Sequence, residues 1–571
     1  MSGSFKIQSF EYFLHKAFNG ALITRDTSGI FRDFKNMGAT HVTLGWNVAV
    51  DENTGKFLGS YDNKETYVPS FDEVAAVAAL AKQAGLGVII KPQYTTAHAV
   101  GLPDNINVVT INNATFNSAE FFSGLKSYIE KVSRLAQSVG ADVLVLGTEN
   151  GGLDTIQYRE PWLSVIATAR QSYSGTLSYD ANSYIGRTYG HGADMVAFWD
   201  QLDLIGVSGY YPLSDSADAG YQEVYQGWFN NKVSHIDYIA PRLSVPEKLL
   251  ELSARYGKPL YFAEYGGQAF HGVIQNSSGA GPAEKSADYD QHDWLFRSMF
   301  EIFSNYDDWF LGVNIWGAIN TDPAMSDPIF PGYLLEYPTN FDVRGRPAGD
   351  TVQKWFTGQN TAPGLTVAFG GGDDTITGGA NSDVFFGGAG DDLFDGRGGV
   401  DTSAVSGTRS QYGVSHGAGR ITLSGPDGVD QLVNMERIRF DDGTLVVNPS
   451  DPAFSVYRLY EAALDRAPDG MGLTAWTYAG TTGMTMTEMA HRFMAAPEFV
   501  QRFGSPDNAG FVDLLYRNVL DRPADEAGAS GWIHALNSGQ MSREDVLLQF
   551  ADSAENIAKV NASVGDGVWL A

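Results

Sequence analysis

The first 357 residues alternate short apolar runs with longer stretches in which apolar positions recur every three or four residues. Short runs bounded by turn residues predict strands, and the longer period predicts amphipathic helices. Helices are predicted over residues 71–83, 121–139, 161–172, 246–256 and 293–303. Strands are predicted around them, over residues 5–10, 40–46, 86–92, 143–149, 176–181, 204–210, 259–264 and 310–316.

Regular alternation of strands and helices indicates repeated β–α–β units and hence a parallel sheet. Eight strands in about 350 residues fit a (β/α)8 TIM barrel. The alternative is an open, doubly wound sheet, which usually carries a glycine-rich phosphate loop after its first strand, and this sequence has none there. We therefore predict a multidomain chain that begins with a TIM barrel over residues 1–357.

Residues 369–404 form four successive nine-residue units that are rich in glycine. Glycine permits tight turns, and a carboxylate at a fixed position supplies the hard oxygen ligand that Ca²⁺ prefers. This period is typical of a calcium-binding parallel β-roll, which we predict for residues 363–447; the alternative is a flexible Gly/Asp linker. The predicted metal-site residues are Asp374, Asp383, Asp392 and Asp401 at the sixth position, with Gly372 and Gly390 at the fourth.

An apolar residue stands two positions after three of these aspartates and indicates how the units stack. Ile376, Phe385 and Phe394 are flanked on one or both sides by polar or smaller residues, so they are expected to point into the roll as alternate strand residues do. Aspartates two units apart, such as Asp374 and Asp392, are then expected on the same edge.

The segment 452–560 has a helical pattern that repeats internally. The pattern predicts an all-α domain of two repeats, in which Asp-Arg pairs cap and pin turns, followed by a short C-terminal secretion tail at 561–571. The repeat is carried by Leu459-Tyr460, Leu464-Asp465-Arg466 and Trp476, which recur as Leu515-Tyr516, Leu520-Asp521-Arg522 and Trp532.

Charge and cysteine content exclude several classes of function. Lys and Arg number 38 and Asp and Glu 67, for a net charge of −29, so no nucleic acid or anionic membrane is expected as a partner. Zero cysteine excludes disulfides, thiolate zinc sites and cysteine nucleophiles. No apolar run has the length of a transmembrane segment, and the N-terminus lacks the pattern of a signal peptide, so neither is expected.

Two predicted barrel strands end in a glutamate, Glu149 in LVLGTENGG and Glu264 in LYFAEYGG. Function in parallel barrels collects at the carboxyl ends of the strands, and the spacing assigns these residues to strands four and seven. A single strand-end glutamate is usually a solvated loop residue. Two carboxyl groups that face each other across a cleft, however, are the machinery of glycoside hydrolysis.

Aromatic residues at the predicted strand ends are a second indication of a sugar cleft, because aromatic faces stack on pyranose rings. The alternative is that they fill the core. His98, His191 and His271 lie in loops without the spacing of a metal site, and we expect hydrogen bonds from them at most. The candidate sugar-binding aromatics are Trp46, Tyr94, Tyr210, Tyr211 and Trp316.

Residues 1–357 resemble a retaining β-glycanase barrel of glycoside hydrolase clan A, most closely the family 113 β-mannanases. The resemblance rests on the strings GLGVIIKPQY, LGTENGG, LSYDANSY, LDLIGVSGYYPL and KPLYFAEYGG. It implies that Glu149 is the acid/base and Glu264 the nucleophile. It also implies that Trp316 is a sugar platform near the cleavage point.

The same resemblance implies further contacts at the site. Asn182 and Tyr210 would contact the sugar or the nucleophile, and Tyr210 could hold Glu264 by a hydrogen bond. Gln93 stands where the family pattern has histidine, and we predict that it binds substrate. Thr148 stands where most clan members have asparagine, a change that the mannanase branch tolerates.

The nonapeptide units resemble RTX (repeats-in-toxin) proteins, and RITLSGPDGVDQLVNMERIRFDDGT resembles the β-rich flank that often follows them. The helical segment resembles an uncharacterised domain common in the same secreted bacterial proteins. The resemblance implies structural Ca²⁺ in the repeats, no cofactor for catalysis, and export by type I secretion machinery. The protein is therefore expected outside the cell or associated with the cell surface, and clustered aspartates would keep the roll unfolded until external calcium neutralises them.

Together these features predict a secreted, retaining endo-β-glycanase that cleaves a polysaccharide by double displacement with two glutamates. One alternative keeps the chemistry and makes the producer's own exopolysaccharide the substrate. Another is a non-catalytic, calcium-dependent protein that binds carbohydrate or a surface. Loss of a carboxylate would favour the second alternative, and both carboxylates are present.

Overall fold

The computed structural model of the 571-residue chain divides into two compact units, Met1–Pro363 and Gly364–Ala571. Within the described parts of both units, no helix has the length and apolar character needed to cross a membrane. The residues that the structure describes are 5–14, 27–58, 69–97, 104–105, 115–183, 192–229, 244–275, 287–316, 343, 346–360 and 362–571.

The first unit is built around a closed barrel of eight parallel strands. They are β1 (Ile7–Phe13), β2 (His41–Asp51), β3 (Gly87–Ala97), β4 (Val143–Thr148), β5 (Thr176–Ala181), β6 (Leu204–Ser208), β7 (Leu260–Tyr265) and β8 (Phe310–Ile315). Each strand pairs in parallel with the next, and β1 also pairs with β8, which closes the ring. A two-residue strand, Asp104–Asn105, is added antiparallel to β3. The predicted (β/α)8 barrel is confirmed.

Helices follow most of these strands, and local sequence signals set where several of them begin. Ser70 and Glu73 form a capping box that starts the second helix, and Ser244 caps the sixth, which has proline in its first turn. The five predicted helices agree with the observed ones to within four residues at each end. The described α-helices of this unit are α1 (Thr27–Asn36), α2 (Phe71–Gln83), α3 (Ser118–Ser138), α4 (Arg159–Ser172), α5 (Tyr221–Gly227), α6 (Val245–Tyr256), α7 (Tyr289–Phe303) and α8 (Pro347–Phe356).

The two-residue period of the strands separates the barrel interior from the layer beneath the helices. In β3, Ile89 packs in the interior, and Lys91 and Gln93 share its side of the strand. Tyr94 has the opposite side and packs against Phe121 of α3. The interior apolar layer consists of Ile7, Ile89, Val143, Val145, Leu204, Tyr261 and Ala263.

The second unit begins with the nine-residue repeats, which form two sheets. Successive repeats alternate between the sheets, so strands two repeats apart pair in parallel, as predicted for Asp374 and Asp392. Ile376, Phe385 and Phe394 are buried, as predicted. The strands are β9 (Thr366–Ala368), β10 (Thr375–Thr377), β11 (Val384–Phe386), β12 (Leu393–Asp395), β13 (Thr402–Ala404), β14 (Gly413–Gly417), β15 (Arg420–Gly425), β16 (Gly428–Val433), β17 (Arg437–Phe440), β18 (Gly443–Val446) and β19 (Val568–Leu570).

Sheet order shows how the repeats join the rest of this unit. One sheet runs β9-β11-β13-β17-β18-β19, and the other runs β10-β12-β16-β15-β14. The parallel repeats thus continue into antiparallel strands of the flank. The strand Val568–Leu570, which lies in the predicted tail, pairs antiparallel with β18.

The remainder of the second unit is a helical region with its own core. The Asp-Arg pairs have the predicted role: Asp465 and Asp521 end α9 and α13 in the left-handed conformation, at φ 50° each. Arg466 then binds the carboxylate of Glu498 through two hydrogen bonds of 2.6 and 2.9 Å. The helices are α9 (Pro452–Leu464), α10 (Gly470–Thr481), α11 (Met486–Ala495), α12 (Pro497–Phe503), α13 (Asn508–Leu520), α14 (Glu526–Asn537), α15 (Arg543–Ala551) and α16 (Ala554–Ser563).

Candidate active site

Glu149 and Glu264 lie at the carboxyl ends of the fourth and seventh barrel strands, where the sequence placed them. Glu149 follows β4 directly and has a backbone φ of 47°, in the left-handed region that side-chain-bearing residues rarely occupy. Its N–H donates to the carbonyl of Asp180 on β5 at 2.8 Å, which holds this unusual turn. The two glutamates are close enough for the charge of Glu264 to raise the pKa of Glu149.

The carboxylate of Glu264 is buried and receives hydrogen bonds on both oxygens. Oε1 forms an ion pair with the ammonium of Lys91 and accepts a 3.0 Å hydrogen bond from Nε2 of Gln93. Oε2 accepts a 3.2 Å hydrogen bond from the hydroxyl of Tyr210, the contact expected from the sequence. Donors on both oxygens favour a charged carboxylate with a fixed orientation.

Glu149 has a different environment. Burial raises the pKa of its carboxyl group to about 8, and the neighbouring charges of Glu264 and Asp180 add to that effect. The amide of Asn182, oriented with its nitrogen towards the acid, donates to both carboxyl oxygens at 3.1 and 3.3 Å. At neutral pH this raised pKa favours a protonated Glu149, the state that a proton donor requires, beside a Glu264 whose two oxygens are held by Lys91, Gln93 and Tyr210.

A buried network that the sequence analysis missed lies beneath the two glutamates. Lys91 is fully buried, and its Nζ lies 3.0 Å from Oδ2 of Asp180 and 3.4 Å from Oε2 of Glu11. Ser208 donates to Asp180 at 3.1 Å, and Asn314 donates to Glu11 at 3.1 Å. The signal was present in the sequence, because a lysine in the apolar run GVIIKP interrupts a strand that is otherwise suited to the core.

The loop after Glu149 is held from below by a second buried acid. Asp154 accepts a 3.0 Å hydrogen bond from the hydroxyl of Tyr179, and that hydroxyl accepts one from the N–H of Asn150, also at 3.0 Å. Burial raises the pKa of Asp154 to about 7. These contacts fix the backbone that follows Glu149.

Three of the predicted sugar-binding aromatics are core residues, which corrects the prediction. Trp46 is fully buried and donates from Nε1 to the hydroxyl of Tyr128 on α3 at 2.8 Å. Tyr94 is fully buried beneath the same helix, and Tyr211 packs against Trp228. Strand-end position alone did not reveal that Trp46 and Tyr94 point outwards, into the helical layer.

The other predicted residues remain near the mouth of the barrel. Tyr210 contacts Glu264. Trp316 is partly buried directly after β8, where its backbone N–H donates to the carbonyl of Tyr265 at 2.9 Å. His271 has the expected hydrogen-bonding role, since its ring nitrogens lie 3.1 Å from carboxylates of Asp218 and Asp288. The predictions for His98 and His191 lie outside the described residues.

The predicted metal-site aspartates form a ladder in the second unit. Oδ1 of Asp392 accepts from the N–H of Asp374 at 2.9 Å, and Oδ1 of Asp401 accepts from the N–H of Asp383 at 2.7 Å. Asp430 extends one edge of the ladder by accepting from the N–H of Asp392 at 3.1 Å. Burial raises the pKa of Asp383 to about 6 and that of Asp401 to about 8.

The ladder places carboxylates in rows rather than in a converging cluster. Oδ2 of Asp392 and Oδ2 of Asp401 are buried with no hydrogen-bond partner. Gly390, at φ 144°, stands so close to the carbonyl of Gly372 that a side chain there would collide with it. Among the described residues, no group of three or more His, Asp or Glu side chains has an arrangement that could hold a metal ion.

Comparisons with known proteins place these features in a family. The model of Glycoside Hydrolase Family 113 matches residues 12–322, more than half of the chain. The model of a domain of unknown function (DUF4214) matches residues 443–503 and 490–560, so the two copies coincide with the helical repeats. No curated protein matches the sequence.

Several solved structures match this chain with TM-scores below 0.5. The GH113 β-mannanase AaManA from Alicyclobacillus acidocaldarius, in complex with ManMIm, is 20% identical with a TM-score of 0.47, covering 63% of this chain and 98% of its own. A complex of a GH113 β-1,4-mannanase is 18% identical with a TM-score of 0.44, covering 62% of this chain and 99% of its own. A GH5_18 protein from Streptomyces cattleya, in complex with GlcNAc, is 13% identical with a TM-score of 0.40, covering 64% and 86%.

Proposed function

This chain belongs to glycoside hydrolase family 113, and on that basis we propose that its barrel is a retaining endo-β-glycanase acting by double displacement. The observation that carries the proposal is the contrast between the two strand-end glutamates. Glu264 is held by an ammonium, an amide and a phenol, whereas Glu149 has a raised pKa. Such a pair supplies a nucleophile and an acid at the same pH.

In the first step, the carboxylate of Glu264 attacks the anomeric carbon and forms an ester bond to the sugar. The glycosidic bond breaks, and Glu149 donates its proton to the departing oxygen. In the second step, Glu149 takes a proton from water as the water oxygen attacks the same carbon. The ester bond breaks, which restores the carboxylate of Glu264 and the protonated Glu149.

β-Mannan is the polymer that we propose first, because the sequence resemblance is to the β-mannanase branch. Gln93, in place of the histidine of that branch, and Asn182 would contribute to sugar recognition, and Trp316 would be the platform near the cleavage point. The producer's own exopolysaccharide is the other possible substrate. Both polymers require the same two-step chemistry.

The test is a panel of polysaccharides that includes β-mannan and exopolysaccharide, with product sizes and anomeric configuration followed by NMR. A retaining endo-enzyme releases oligosaccharides whose new reducing ends first have the β configuration. Products with the α configuration would contradict the double displacement, and release of single sugars would contradict endo action. Carbohydrate binding without cleavage by the wild-type protein would favour the non-catalytic alternative.

We also propose that the nine-residue repeats bind structural Ca²⁺ in an RTX-type β-roll. The chemistry of the donors supports an oxygen-binding cation, because Oδ2 of Asp392 and Oδ2 of Asp401 are buried and unpartnered and carboxylate oxygens are the ligands that Ca²⁺ prefers. Asp374, Asp383, Gly372 and Gly390 would complete the turns, and a bound cation would neutralise the carboxylates. Isothermal titration with Ca²⁺, and with Mg²⁺ as the control, tests this; equal affinity for both ions, or none, would contradict it.

Export by type I secretion machinery follows as a proposal from the same repeats. Without calcium the buried carboxyl groups of the folded roll would have to take up protons or stay ionised without a cation. Both states disfavour folding at neutral pH, so that region would stay unfolded. Calcium outside the cell would then fold it. The test is expression with and without a type I exporter; accumulation in the medium in the absence of the exporter would contradict this route.

A further inference from the structure

The ammonium of Lys91 is the centre of the buried charge network in the barrel. It contacts carboxylates from three strands, Glu11 on β1, Asp180 on β5 and Glu264 on β7, and it donates to the carbonyl of Ala263 at 3.3 Å. The lysine side chain is 1% exposed, so water does not replace any of these contacts. One cation therefore serves three carboxylates in a site from which solvent is excluded.

The contacts of the three carboxylates are not equal. Glu264 has the shortest contact with Lys91, whereas the Nζ–oxygen distances to Asp180 and Glu11 are 3.0 and 3.4 Å. Burial raises the pKa of both Glu11 and Asp180, and Lys91 opposes that effect. Burial raises the pKa of the phenol of Tyr261, on β7, and the charge of Lys91 opposes that effect too.

Lys91 acts less strongly on the second glutamate of the site. For Glu149, the charges of Glu264 and Asp180 raise the pKa more than the charge of Lys91 lowers it. Gln93 donates to the same oxygen of Glu264 as Lys91 does, at 3.0 Å, but it carries no charge. Oε1 of Glu264 thus accepts hydrogen bonds from two side chains, of which only Lys91 also brings a charge.

We propose that Lys91 is a positioning residue that assigns the two catalytic roles. It holds Oε1 of Glu264 and keeps that carboxylate ionised, so that Oε2, held by Tyr210, is the oxygen that attacks the sugar. The proton stays on Glu149, which the ammonium influences least. This inference rests on the proposed glycosidase function, and it explains how two glutamates in one mouth acquire opposite protonation states.

The central test compares Lys91→Met with Gln93→Met, which removes a neutral donor to the same oxygen. Lys82→Met is the control, because Lys82 is an exposed residue paired with Asp142 at 3.4 Å. Rates are measured across pH with a dinitrophenyl glycoside of the sugar that the wild type cleaves, since this leaving group needs no proton from Glu149. Only nucleophilic attack then limits formation of the ester.

With Lys91→Met, we expect kcat/KM to fall about 10²-fold or more, the scale of a mispositioned reacting group. We expect the acidic limb of the pH profile to move up by about 1–3 pH units, the effect of losing an opposite charge nearby. Gln93→Met should lower the rate without moving that limb, and Lys82→Met should change neither. An unmoved acidic limb for Lys91→Met would overturn the proposal.

A second measurement does not need activity. Thermal unfolding of the full chain is compared at pH 5 and pH 8, since carboxyl groups that keep their protons need no cation. Lys91→Met should lower the Tm of the barrel much more at pH 8 than at pH 5, and Lys82→Met should not. An equal loss of Tm at both pH values would show that Lys91 only fills space. Failure of the proposed function is a different result, because it would appear as a wild-type protein that cleaves no glycoside.

Discussion

Both units bury carboxylates, but they balance the charges in different ways. In the barrel, Glu11, Asp180 and Glu264 share the ammonium of Lys91. In the repeats, Asp401 is fully buried, and its pKa is raised first by that burial and then by the charges of neighbouring acids, with no cation among the causes. The charged groups that raise the pKa of Asp401 are Asp383, Glu436 and Asp395.

The difference determines which partner each region requires. A buried carboxylate must be paired with a cation or take up a proton, because an isolated charge away from water is very unfavourable. The barrel obtains one cation from its own third strand, and this ammonium opposes the effect of burial on the pKa values of Glu11 and Asp180. The repeats must obtain a proton or a cation from solution. We therefore expect the chemistry of the barrel and the folding of the repeats to respond separately to mutation, pH and calcium.

The largest expected effect is the loss of the nucleophile. Glu264→Gln removes the attacking carboxylate and should lower kcat by several orders of magnitude, while the calcium response of the repeats stays unchanged. Initial rates on the best polysaccharide, with calcium titrated in parallel, check both parts. The matched control is Glu130→Gln on α3, an exposed residue paired with Arg134. Near-normal turnover by Glu264→Gln would place the nucleophile elsewhere.

Loss of the proton donor should be the next largest effect. Glu149→Ala should lower the rate on polysaccharide by about 10²–10⁴-fold, the usual contribution of a general acid, and affect formation of the ester from a dinitrophenyl glycoside much less. In the wild type, activity on polysaccharide should fall as the pH rises past about 8, because the acid then loses its proton. The pH profiles of both substrates, measured in chelator and in calcium, test this. An identical alkaline limb for both substrates would contradict the role of Glu149.

A smaller effect is expected from calcium and pH on the repeats. Asp383 and Asp401 have raised pKa values in the folded state, about 6 and about 8, so the folded repeats bind more protons than the unfolded chain. In chelator, their stability should therefore fall as the pH rises from about 4 to 8. Calcium at 100 times its Kd should restore about 2.7 kcal/mol. Circular dichroism with activity measured alongside tests this, and loss of activity together with the β signal would show that the two units depend on each other.

The smallest expected effect is the change in stability when one buried aspartate in each unit is replaced by asparagine. It is also the sharpest test of the comparison, because the expected change has opposite signs in the two units. At pH 8 in chelator, Asp401→Asn should stabilise the repeats by about 1–2 kcal/mol, since it removes a like charge and keeps an oxygen for the N–H of Asp383. Asp180→Asn should destabilise the barrel by about 1–3 kcal/mol, since Lys91 loses a charged partner. Chemical unfolding of each full-length variant provides the measurement. The same sign for both variants would show that the two regions do not differ in the proposed way.

Much of the barrel could be predicted because its strands are apolar runs of the expected length. The main errors were at the ends of β2 and β3, which continue five residues beyond the predicted limits and stay paired as far as Asp51 and Ala97. Polar residues such as Gln93 and Thr96 ended the predicted strand. In the structure these residues continue the strand, and Gln93, which faces the barrel interior, donates a hydrogen bond to Glu264.

The candidate site was only partly visible for the same reason. Glu149 and Glu264 could be found because each ends an apolar strand. Lys91 was missed because its partners are 80 or more residues away along the chain, and a strand-internal charge has no local explanation. Trp46 and Tyr94 were assigned to the cleft because strand-end position does not say which side of the strand a residue occupies.

The left-handed backbone of Glu149 has a consequence for how this protein can change. For a residue with a side chain, that conformation raises the free energy of the folded state by about 1–2 kcal/mol, whereas glycine adopts it freely. Replacing Glu149 by glycine would therefore relieve strain and remove a buried acid, so the variant should be more stable and inactive. A search for stabilising substitutions that ignores activity would select this position early, and the residue persists only where turnover itself is under selection.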